Sequence, residues 1–94
     1  MMAERFVSVV LDGHKGLAFE IPFDPAERWG AAQVQLWPGR RGYRVRGTVN
    51  KLPVEGVIVS RARKFFVLVN DHMQTAGELR DGSSVRVSLS LLVT

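Results

Sequence analysis

Apolar and polar residues alternate at every second position through much of the chain. Successive side chains of a strand point to opposite faces, so a period of two predicts β-structure. The clearest stretch is Ser84 to Val93. Val85, Val87, Leu89, Leu91 and Val93 are predicted to point inward, and Ser84, Arg86, Ser88 and Ser90 outward. Tyr43 to Val49 reads the same way, with Tyr43, Val45 and Val49 on one face and Arg44, Arg46 and Thr48 on the other. Phe6 to Leu11 is β-branched and aromatic and predicts a first strand. Leu17 to Ile21 is its returning partner, and Gln33 to Trp37 predicts a further short strand. Leu52 to Val59 and Phe65 to Val69 are apolar on both faces. Such strands are covered twice, or lie in a closed barrel with the outer face packed by a helix or a partner.

Turn residues divide these segments. Asp12 to Gly16 is turn chemistry, and Pro22 ends a strand by removing a ladder donor. Asp24 caps a predicted helical turn, Pro25 suits its first position and Gly30 its end, with Phe23 and Trp29 holding it to the body. Trp37 to Gly42 reads as an exposed loop, Asn50-Lys51 as a tight turn, and Arg61 to Lys64 as a basic turn. Asn70 or Asp71 caps a second short helix ending at Gly77, and Asp81-Gly82 makes another turn. Six or seven strands in 94 residues would leave exposed edges unless the sheet closes. The expected fold is all-β: a small closed or nearly closed six- to seven-stranded β-barrel with one or two short helical turns, as one domain over 1–94.

Composition narrows the function classes. Hydrophobic residues make up 46% and charged residues 23%, which suits a folded globular domain. There is no cysteine, so disulfides and thiolate metal sites are ruled out. A reducing cytoplasm is the expected location, since no apolar run reaches a membrane span and Met1 to Arg5 lacks the form of a signal peptide. Charge is uneven. Between Arg40 and Lys64 eight cations face only Glu55, a net +7, whereas the remaining five cations and eight carboxylates make −3.

Candidate chemistry is sparse. His14 and His72 form no metal signature, no serine sits in a nucleophile elbow, and no phosphate-cradling glycine loop is present. Glu20, Asp24 and Glu27 cluster in sequence, but capping and helix-dipole roles account for Asp24 and Glu27. No enzyme and no cofactor are expected. The candidate polyanion site is Arg40, Arg41, Arg44, Arg46, Arg61, Arg63 and Lys64. Trp37 beside Arg40 and Arg41, and Phe65 or Phe66 after the basic turn, supply aromatic–cation pairings of the kind nucleic-acid barrels use.

The order Glu20-Ile21-Pro22-Phe23, Trp29-Gly30, Gly47-Thr48-Val49-Asn50, Phe66 to Asn70, Met73, Ala76-Gly77, Gly82 and Val85 to Leu89 resembles a bacterial and archaeal family, domain of unknown function nineteen-oh-five. The resemblance spans Phe6 to Leu91 and implies a compact β-barrel with Greek-key character and no established catalytic chemistry. It also implies a possible partner, a YdeI-like helical protein, since such domains occur alone or fused to YdeI/OmpD-associated helical domains. The resulting expectation is a non-catalytic barrel serving as a binding or interaction module. The alternatives are a nucleic-acid-binding module using Arg40 to Lys64, and a small-ligand binder or enzyme at the barrel mouth near Arg44, Arg46 and His72.

Overall fold

The computed structural model describes residues 3–13 and 15–92. His14 and Val93, for which a turn and an inward-facing position were expected, lie outside the described residues. The strands are β1 (Glu4–Leu11), β2 (Ala18–Ile21), β3 (Val34–Trp37), β4 (Arg40–Val49), β5 (Leu52–Arg61), β6 (Lys64–Leu68) and β7 (Ser84–Leu91). Two short helices, α1 (Pro25–Trp29) and α2 (Asp71–Ala76), interrupt them.

All pairings are antiparallel, in the order β3-β4-β5-β6-β2-β1-β7. A further β4–β7 ladder, from Val45↔Leu91 to Val49↔Val87, closes six strands into a barrel. β4, β5 and β6 are joined by hairpins, and β7 returns over a long connection to lie beside β4. That is the Greek-key arrangement. β3 is the seventh strand and lies outside the barrel on the first residues of β4.

The inward-facing alternation of the sequence fills the barrel. Val10, Phe19, Ile21, Tyr43, Val45, Val49, Ile58, Val67, Val85, Val87 and Leu89 are buried in one cluster. Gly47 on β4 faces Leu89, and a Cβ there would lie 1.7 Å from the Ser88 carbonyl oxygen. A side chain at that position would collide with backbone, so the close β4–β7 approach that shuts the barrel requires glycine.

Each helix covers part of this core. Asp24 accepts from the Ala26 N–H, Pro25 opens α1, and Gly30 ends it in the left-handed region. α1 places Trp29 against Phe23, which meets Phe6, with ring centroids 5.1 and 6.0 Å apart. These aromatics fill the place where β1 and β2 diverge, because only Val10 and Leu11 of β1 pair with β2. Ser8 Oγ bridges the gap by donating to the Glu20 carbonyl at 2.7 Å. Arg28 pairs with Glu4 and lies over the Phe23 ring. Beneath α1, burial and then the nearby Asp24 carboxylate push the Tyr43 hydroxyl pKa upward. α2 is capped by Asn70, whose Oδ1 accepts from Met73 N–H, and it buries Met73 in the core. Gly77 ends α2 in the right-handed region.

One expectation changes and another is made specific. Trp37 to Gly42 is not a loop: β3 extends through Trp37 and β4 begins at Arg40, leaving a tight Pro38-Gly39 turn. The outer faces of β5 and β6 are covered a second time from within the chain, as their apolar sequences implied. Ala18, Val59 and Phe66 form a second buried cluster under Leu36 of β3. The β3–β4 hairpin folds back over the wall, so these strands read as apolar on both faces.

Candidate functional site

The cations of the basic segment are placed by two hairpins. In the β5–β6 hairpin, Ala62 and Arg63 both take positive φ, and Arg61 pairs with Lys64 across the turn. In the β3–β4 hairpin, Trp37 pairs with Arg40. The two tips meet, because the Arg40 guanidinium donates to the Ser60 carbonyl at 3.0 Å. Arg40, Arg41, Arg61, Arg63 and Lys64 therefore gather at one end of the barrel. Beside them Trp37 remains 45% exposed, unlike Trp29, which is buried. An exposed indole among guanidinium groups offers both a stacking face and positive charge.

The seven candidate cations do not share one environment. Arg41 donates to the Gln33 carbonyl at 3.1 Å, and Arg44 reaches the Gln35 and Leu36 carbonyls at 3.4 Å. With Arg40, these two fasten the β3–β4 hairpin to the barrel. Lys64 lies 3.9 Å from Glu20. Arg46 sits further along β4, directly across from Glu55. It lines a groove of about 620 Å³ that includes Thr48, Pro53, Ser90 and His72. Arg46 and His72 are thus neighbours of one groove on the wall, whereas Arg44 belongs to the hairpin.

Met73 of α2 and Trp29 of α1 belong to the same buried cluster as the inward residues. His72 is exposed on α2 and its Nε2 lies 3.1 Å from the Pro53 carbonyl, to which it donates. Glu20 is exposed beside Lys64, Asp24 caps α1, and Glu27 lies in its first turn. Among the described residues, no group of three or more His, Asp or Glu is placed to hold a metal ion. Among the described residues, no helix is long and apolar enough to cross a membrane.

A second gathering of cations was not evident from the sequence. Arg5 of β1, Arg86 of β7 and Lys51 of the β4–β5 turn line a groove of about 730 Å³ with Val7, Thr48 and Ser88. The strand pairings Arg5↔Ser88, Val7↔Arg86 and Thr48↔Ser88 bring these residues together from three segments far apart in the chain. Sequence alone shows Arg86 facing outward, but its neighbours follow only from the order β1-β7-β4.

No curated protein matches the sequence. A family model described as Domain of unknown function (DUF1905) matches residues 7–89, nearly the whole chain. It takes in all or most of every strand of the barrel, and the chain belongs to that family.

Proposed function

We propose that the domain is a non-catalytic binding module for single-stranded nucleic acid, which it grips at the joined tips of the β3–β4 and β5–β6 hairpins. The observation that supports this reading most directly is exposed Trp37 paired with Arg40, beside Arg41, Arg61, Arg63 and Lys64. Bases stack on an exposed indole whatever their sequence, and the phosphates between them meet the cations. The tips are firm enough to act as a platform. Arg40 ties one hairpin to the other, and the two-residue Ala62-Arg63 turn fixes the second. Arg63, at the apex, makes no ion pair among the described residues.

Fluorescence gives the test. The chain has two tryptophans, and only Trp37 is exposed. A Trp29→Phe background leaves Trp37 as the only tryptophan reporter. Titration with oligothymidylate should quench it saturably. Neutralising about four phosphates gives a log–log salt slope near −3, a loss of roughly fifty-fold between 50 and 200 mM salt. Arg61→Glu with Arg63→Glu should abolish binding while the fold persists by circular dichroism. Unchanged Trp37 emission and no anisotropy change at low salt would refute the reading.

A further inference from the structure

We propose that the groove between β1, β7 and the Asn50-Lys51 turn is a separate site for a phosphate monoester carrying an apolar body. Three cations converge there, and no carboxylate lines the groove. Among the described residues the side chains of Arg5, Lys51 and Arg86 form no hydrogen bond and no ion pair. Like charges held together in this way are relieved by a bound anion. Thr48 and Ser88 lie directly opposite one another between the cations, and each hydroxyl can donate to a phosphoryl oxygen.

The cations are held in place by backbone. Asn50 N–H donates to the Arg86 carbonyl at 2.8 Å, and Asn50 Oδ1 accepts from the Arg86 N–H at 2.8 Å. Asn50 Nδ2 also donates to the Ser84 carbonyl at 3.4 Å. These bonds clip the turn onto β7 and fix Lys51 near Arg86. Both Asn50 and Lys51 have positive φ, which the clip sustains.

The apolar wall identifies the rest of the ligand. Val7, across from Arg86, is 65% exposed, and Val9 and Leu11 continue the same outward face at 46% and 50%. Among the described residues no other strand exposes three large aliphatic side chains on one face. A nucleic-acid strand would need further cations along that direction, and β1 offers valine and leucine instead. A single dianionic head with an apolar tail or ring satisfies both halves. The groove is of the size that small ligands occupy.

The test is an NMR titration of the ¹⁵N-labelled protein with inorganic phosphate, hexyl phosphate and adenosine monophosphate. The last two distinguish a lipid-like from a nucleoside source of the same chemistry. Saturable shifts of the Val7, Lys51, Arg86 and Ser88 amides are expected with at least one monoester, at least tenfold tighter than with phosphate. Arg86→Gln and Lys51→Gln should each weaken binding about tenfold, the loss of one charge-assisted contact. Lowering the pH through about 6 should also weaken it, because the head becomes monoanionic. Arg61→Glu with Arg63→Glu should leave this binding intact, which separates it from the hairpin-tip reading. Absence of saturable shifts at about 10 mM with both monoesters, or equal affinity for inorganic phosphate, would overturn the proposal.

Discussion

At the hairpin tips and at the Asn50-Lys51 turn the barrel gathers cations in two different ways. At the tips the guanidinium groups themselves hold the structure together: Arg40, Arg41 and Arg44 donate to backbone carbonyls, and Lys64 approaches Glu20. At the turn an uncharged side chain, Asn50, makes the fastening bonds, and among the described residues the Lys51 and Arg86 side chains have no ion pair. The segment with the greater charge in sequence is thus the one whose charge is more fully engaged. Net charge along a chain counts cations, whereas a ligand meets only those whose donors still face outward.

Both regions depend on the wall they share, and its disruption is expected to have the largest effect. Gly47→Ala forces a Cβ into the Ser88 carbonyl of β7. Urea denaturation should show a loss of about 3 kcal/mol or more, because backbone cannot move aside as a flexible side chain can. Next in size is the core behind the groove. Leu89→Ala should cost about 2–5 kcal/mol, whereas Ser88→Ala, one residue away on the outer face, should stay within about 0.5 kcal/mol. Equal losses at the two positions would reverse the assignment of faces.

The Asn50 clip comes third. Asn50→Ala removes a bond to the Arg86 N–H and leaves a strained positive φ, which should cost about 1–2 kcal/mol in thermal or urea unfolding. Asn50→Gly relieves the backbone strain alone and should recover part of that loss. The smallest effects separate fastening cations from free ones. Arg40→Ala should cost about 1 kcal/mol, because it breaks the link to Ser60, and Arg63→Ala should be neutral within about 0.5 kcal/mol. Both should weaken oligonucleotide binding. If Arg63→Ala destabilised the barrel as much as Arg40→Ala, the distinction between the two roles would fail.

Much of the barrel was legible because period-two alternation reports one buried face directly. The inward positions of β4 and the start of β7, the Asp24 and Asn70 caps and the left-handed Gly30 all follow from local rules. The cover over β5 and β6 was not legible. Leu36 becomes a covering residue only once its hairpin folds back over Val59 and Phe66, and that depends on tertiary structure. Likewise Trp37 to Gly42 carries loop residues, yet pairing with a neighbouring strand overrides local preference and makes most of it β-structure.

The candidate site divides the same way. The meeting of the Arg40 region with Arg61 to Lys64 followed from hairpin direction, since β5 must run back toward the start of β4. The groove at Arg5, Lys51 and Arg86 could not be found by scanning for runs of charge. Arg5 and Arg86 lie in the acidic remainder of the chain and meet only through β1–β7 pairing.

Binding of a nucleic-acid strand at the hairpin tips is decided by ¹H–¹⁵N spectra recorded during oligothymidylate titration at low and high salt. Shifts are expected at the Trp37 indole and at the Arg40, Arg41, Arg61, Arg63 and Lys64 amides, lost at high salt. Silence at these residues at low salt, or shifts confined to Arg5, Lys51 and Arg86, would contradict it.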